Sequence, residues 1–194
     1  MVYEAKNFNH LIGTAGFSEQ LLKNHFTLYE GYVTNANKIS ALLKEMSVAG
    51  KTAIPEYAEL KRRFGWEWNG MRLHELYFKN MTNGGKKLDS SSPLAKKIEE
   101  EFGSLESWEA DFKSTGTMRG IGWVVLAHDA SQNRLFNVWI NEHDVGHLAG
   151  ATPILALDVF EHAYMIDYGL KKADYITAFM NAVDWCAAQD CFSR

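Results

Sequence analysis

The spacing of apolar residues changes from helical to strand-like partway along this chain and later back, and that switch limits the folds open to it. Up to about residue 118 the repeats are helical. From Ser18 to about Met46, Leu21, Leu22, His25, Leu28, Tyr29 and Tyr32 fall on one side of a long amphipathic helix, with Ser18 as its N-cap. A second helix follows Pro55, which suits a first helical position, and runs from Glu56 to about Lys79. Pro93 opens a third, up to Phe102, and Ser104 caps a fourth, to about Met118. Then GWVVLAHD (122–129) and RLFNVWI (134–140) appear, rich in Val, Leu and aromatics and separated by the turn-like ASQN, and the pair predicts an antiparallel hairpin. PILALD (153–158) predicts a third buried strand, and helix returns from about Tyr164, most clearly from Ala173 to Trp185. The expected class is α+β: an N-terminal helical-hairpin lobe (1–85) and a C-terminal lobe (90–194) with a small three-stranded antiparallel sheet surrounded by helices. The polar, turn-rich stretch 80–93 separates them. No internal repeat is visible.

Bulk properties narrow the function classes. With 46% hydrophobic and 23% charged residues and six Trp, the chain has the make-up of a folded globular protein with ample material for a core. No apolar run approaches the ~20 residues that span a bilayer. The opening MVYEAKNFNH lacks a basic segment followed by an apolar one, so no signal peptide is expected. A net charge of −4 argues against nucleic acid and marks no membrane-binding face. Cys186 and Cys191 fit neither a zinc ribbon nor a disulfide framework, so a reducing, cytoplasmic setting is the expectation.

The stretch DVFEHAY (158–164) sets Asp158 and His162 four positions apart, directly after the apolar PILAL. Either this is a metal-binding pair or a surface helix that carries an acid and a base. His25 in the first long helix and His74 in the second add two imidazoles from separate elements. Three imidazoles and a carboxylate suit iron, manganese or zinc, and the set has no thiolate to favour zinc or copper(I). Each candidate has aromatic neighbours: Phe26 beside His25, Tyr77 and Phe78 near His74, Phe160 and Tyr164 near His162. Such residues make a dry shell for a redox ion, or simply a core.

The order of several segments resembles the iron/manganese superoxide dismutase family over nearly the whole length. The segments are NHFTLYEGYVTNANKI (24–39), LHELYFKN (73–80), GIGWVVL (120–126), NEHD (141–144), DVFEHAY and KKADYITAFMNAVDW (171–185). The resemblance implies that His25, His74, Asp158 and His162 hold one iron or manganese ion per subunit, with solvent as a fifth ligand. It implies that Tyr32 is the gateway tyrosine, and that His143 stands where the family keeps a Gln or His bonded to that solvent. Gly70 occupies the other place from which that Gln can come, so the bond falls to residue 143. Trp123 and Phe160, the latter replacing a Trp, would wall the pocket. Glu161 matches a residue that crosses a dimer interface to the partner's ligand histidine, which implies a homodimer or tetramer. The implied substrate is superoxide, converted to dioxygen and hydrogen peroxide in two half-reactions.

The chain departs from the family pattern in four places. Tyr32 lies seven residues after His25 rather than eight; seven steps turn through about 700°, so both can still share a helix face. Tyr29 and Met165 replace a His and a Tyr that bond each other across the dimer interface, and a sulfur–aromatic contact between them is the expected substitute. Val125 stands where a second Trp is common. Because superoxide and the chain are both negative, local cations must guide the substrate, with Lys171, Lys172 and Arg72 as candidates. Two other readings compete: a structural or interaction protein on this fold with weak or no catalysis, and a non-redox hydrolase that uses bound water.

Overall fold

The computed structural model describes residues 2–193. Short polar side chains set where its helices begin. The Leu21 amide donates to the Ser18 hydroxyl (3.1 Å) at the start of α1 (Glu19–Val48), and α2 (Pro55–Lys79) opens on its proline. Ser92 and Ser104 accept from the Ala95 and Ser107 amides to open α3 (Pro93–Phe102) and α4 (Leu105–Thr117). Leu21, Leu22, His25, Phe26, Tyr29, Val33 and Ala36 form the buried stripe of α1. They pack on α2 in antiparallel order, as contacts from His25 to Phe78, Tyr32 to Gly70 and Asn35 to Glu67 show.

The hairpin follows as expected: β1 (Gly122–Asp129) pairs with β2 (Arg134–Asn141), and β3 (Thr152–Asp158) lies antiparallel on the other side, in the order β2–β1–β3. Central β1 is buried from Gly122 to Ala127, between helices and its two neighbours. A 3-10 turn (Glu161–Ala163) and one turn of helix, α5 (Met165–Tyr168), lead to α6 (Lys172–Ala182) and α7 (Trp185–Phe192). The fold is thus α+β with helices first and a three-stranded antiparallel sheet later.

The helix expected to run from Ala173 to Trp185 is interrupted. Val183 is extended, and Val183 and Asp184 leave the helix to bond the segment after α2: Thr82 N–H donates to Ala182 O, Lys86 N–H to Val183 O, and Asp184 N–H to Asn80 O. The Asp184 carboxylate then caps α7 by accepting from the Cys186 and Ala187 amides. An aspartate inside an otherwise apolar run was the signal for this second start.

One buried side chain ties the helical hairpin to the sheet. Asn80, at the end of α2, is fully buried; its amide donates to Ile154 O (3.1 Å) and its carbonyl accepts from Ala156 N–H (3.2 Å). It serves β3 as a surrogate strand neighbour and sets the register of α2 against β3.

Candidate metal centre

Three strand ends meet at one place in the sheet. Gly122 of β1 pairs with Asn141 of β2, and Trp123 pairs with Asp158 of β3. Trp123, His143 just beyond β2, and Asp158 are therefore neighbours because of strand register. Asp158 also ends its strand: its Oδ1 accepts from the Phe160 amide (2.8 Å), a local turn that starts the 3-10 segment carrying His162. The Tyr175 hydroxyl of α6 donates to Asp158 O (2.7 Å), and the Tyr77 hydroxyl of α2 lies 3.2 Å from it. The Phe160 amide thus fixes one carboxylate oxygen, Tyr175 fixes the backbone carbonyl, and Oδ2 is left to face inward.

Around that oxygen the structure brings together His25, His74 and His162. Each Nε2 lies close to Asp158 Oδ2: 3.2 Å for His25, 3.5 Å for His74 and 3.1 Å for His162. All four ligand atoms lie within 4.8 Å of one another. Bonds of about 2.0–2.2 Å to a common ion, subtending about 90–120°, give edges of about 3.0–3.7 Å, so the Asp158 edges match a coordination sphere. His25, His74 and Asp158 are buried and His162 is partly exposed.

The protonation pattern supports a cation. His74 Nδ1–H donates to Gly70 O (2.6 Å), which leaves a lone pair on Nε2. That atom has no hydrogen-bond partner among the described residues, yet it faces a carboxylate oxygen in a dry interior. Two lone pairs set face to face are unfavourable unless a positive ion lies between them. Burial pushes the pKa of His25 below, and that of His74 well below, the ordinary imidazole range, so a proton is not the missing cation. For Asp158, burial works against ionisation, but His162 and His25 hold its carboxyl far below the usual range and keep it anionic.

A second layer surrounds the cluster. The Trp123 ring packs against His74 (centroids 4.9 Å apart), and its Nε1–H donates to His143 Nδ1 (3.0 Å). Indole can only donate, and burial lowers the His143 pKa to about 4, so the neutral ring carries its hydrogen on Nε2. That hydrogen points at the Tyr32 oxygen, 2.8 Å away. Tyr32, whose pKa is raised mainly by burial and further by Asp158, keeps its own hydrogen free to donate elsewhere. Its ring lies 5.0 Å from that of His74 and occupies the space a side chain at Gly70 would take: a Cβ there would sit 2.7 Å from the Tyr32 ring. The missing residue in the His25–Tyr32 spacing is absorbed without a break in α1. Phe160 stacks on both His143 (4.8 Å) and His162 (5.2 Å).

One expected contact does not form. Tyr29 is fully buried inside the chain, where its hydroxyl donates to Glu75 Oε1 (3.1 Å) and accepts from the Lys6 amide (3.0 Å). It has no surface left to meet Met165, which is exposed. The Tyr29 phenol reaches a carboxylate on α2 instead. Sequence reasoning also missed Trp66, 4.5 Å from His143 and 5.6 Å from Tyr32. Its signal was present: Trp66, Gly70 and His74 are spaced by four and lie on one face of α2.

Comparison with known proteins agrees with this geometry. The family model for iron/manganese superoxide dismutases, C-terminal domain, matches residues 90–191. The chain is 39% identical over 197 residues to a superoxide dismutase [Fe] of Cupriavidus metallidurans, covering 100% of this chain and 98% of that one. It is 39% identical to superoxide dismutase [Mn] 2 of Haloferax volcanii, over 87% of this chain and 83% of the relative. A superoxide dismutase [Fe] of Aquifex pyrophilus is 35% identical over 92% of this chain and 85% of its own length. The likeness thus extends over both the helical hairpin and the sheet, and the chain belongs to the iron/manganese superoxide dismutase family.

Proposed function

We propose that this chain is a superoxide dismutase acting at one iron or manganese ion held by His25, His74, Asp158 and His162. The observation that carries this is the unpartnered, buried Nε2 of His74 aimed at Asp158 Oδ2 within a cluster of four ligand atoms. An iron or manganese ion supplies one-electron exchange there, so that two superoxide ions and two protons become dioxygen and hydrogen peroxide. The chain's own residues supply position and protons. Trp123 fixes the tautomer of His143, His143 donates to the Tyr32 oxygen, and the Tyr32 hydroxyl is thereby turned to donate a proton to bound substrate. Trp123 and Phe160 exclude bulk water, which strengthens these bonds. The two lobes, 1–85 and 90–194, meet at this cluster: His25 and His74 come from the first, Asp158 and His162 from the second.

The chain assembles as a homodimer or tetramer through the surface around Glu161. Support comes from the exposure of Glu161 beside the partly exposed His162, and of Met165, Ile166 and Leu170 just after it. It works in the cytoplasm, a reading supported by its free cysteines, Cys186 and Cys191. No helix among the described residues is long and apolar enough to cross a membrane.

The test is elemental analysis of protein purified without added metal, together with a superoxide assay per bound ion and sedimentation. The expected result is close to one iron or manganese per chain, dismutation proportional to metal, and a dimer or tetramer. A metal-loaded chain without dismutation would refute the activity.

A further inference from the structure

Resting on that function, we infer that Arg63 is the cation that draws small anions, superoxide among them, to the metal centre, and that Trp66 holds it there. Arg63, Trp66, Gly70 and His74 are spaced by three, four and four, a single stripe along α2 that runs about 16 Å from solvent to the buried cluster. The Arg63 side chain is 44% exposed, and its guanidinium lies 3.9 Å from the Trp66 ring centroid. Trp66 in turn packs on His143 and Tyr32, and its Nε1–H donates to the Glu142 carboxylate (2.9 Å), beside His143 in sequence. Glu142 adopts a left-handed backbone (φ 50°), uncommon for a glutamate.

Two of the cations suggested by sequence, Arg72 and Lys172, are placed otherwise. Arg72 is bound to Glu75 (2.8 Å) on the flank that carries Lys6 and Tyr29. Lys172 donates to Met118 O (2.6 Å). Acidic groups surround this approach: buried Glu67, which Arg63 pairs with at 2.7 Å, Glu59 one turn earlier on α2, and exposed Glu142 on the Trp66 indole N–H. Arg63 offsets part of this negative charge at the Trp66 face, and neutralising it would leave the approach more negative and more repulsive to an anion.

This predicts opposite signs for two substitutions a few ångströms apart. Arg63→Gln removes the attraction, whereas Glu142→Gln keeps an acceptor for Trp66 and removes a repulsion. The direct readout is quenching of Trp66 emission, taken as wild type minus Trp66→Phe, by iodide relative to neutral acrylamide, on the metal-loaded protein at low ionic strength. Arg63→Gln is expected to lower the iodide-to-acrylamide ratio at least about twofold, Glu142→Gln to raise it, and Arg63→Lys to keep most of it. In parallel, kcat/KM for superoxide should fall about three- to tenfold in Arg63→Gln and lose its decline with added salt, with kcat little changed. An unchanged iodide ratio in Arg63→Gln, or a fall in Glu142→Gln, overturns the inference. Quenching needs no turnover, so a protein that quenches as expected but does not dismute sinks the function proposed above while anion attraction stands.

Discussion

At His74 a single atom carries the metal reading. Its Nδ1 hydrogen is committed to Gly70 O, and its Nε2 lone pair faces Asp158. His74→Ala is expected to cut retained metal and dismutation at least about tenfold while far-ultraviolet circular dichroism stays near wild type, because α2 also rests on Tyr77, Phe78 and Asn80. Normal metal content in that variant would remove His74 from the ligand set. Gly70 makes a different demand. A methyl there would meet the Tyr32 ring at 2.7 Å, and the ring is enclosed by His74, Trp66 and His143. Gly70→Ala should cost about 1–3 kcal/mol in overpacking, against about 1 kcal/mol gained in helix propensity. Its clearer effect is a fall in kcat of about tenfold, from the lost Tyr32–His143 alignment, with metal content unchanged. Wild-type kcat would show that Tyr32 does not need that placement.

Among the elements, α2 acts as the ruler of the molecule. It brings Arg63, Trp66, Gly70, His74 and Tyr77 along one face, and Asn80 fixes its end against β3. Asn80→Ala would orphan the Ile154 carbonyl and the Ala156 amide, each at about 1–3 kcal/mol, so a loss of about 2–6 kcal/mol is expected. Urea unfolding with an unchanged slope measures it; a loss under about 1 kcal/mol would mean that water replaces the amide. Helix starts were legible from Ser18, Pro55, Pro93 and Ser104, since caps are local chemistry. At Val183–Asp184 only the cap residue of the second start, Asp184, was legible; the break itself comes from pairing with residues 80–86, about a hundred positions earlier.

Across the whole molecule, burial of histidines makes stability depend on pH. The folded-state pKa values of His25, His74 and His143 lie below the ordinary 6.5, that of His143 at about 4. The unfolded chain therefore binds more protons than the folded one in the window between 6.5 and those lower values. Stability is complete above about 6.5 and is lost as pH falls through that window. For metal-free protein, His143 alone should make the free energy of unfolding about 2 kcal/mol lower at pH 5 than at pH 7.5. His143→Gln should remove that share, and an unchanged pH slope would show that His143 is solvated. Read without coordinates, the chain already carried its helix caps, its hairpin, its α+β class and the four ligand candidates, because capping, strand periodicity and residue chemistry are properties of short stretches. The aim of each side chain came only with the tertiary structure. Strand register set Trp123 beside Asp158, close packing gave Tyr32 the space over Gly70, and burial turned Tyr29 inward. Such outcomes depend on distances between residues far apart in sequence, which no local pattern encodes.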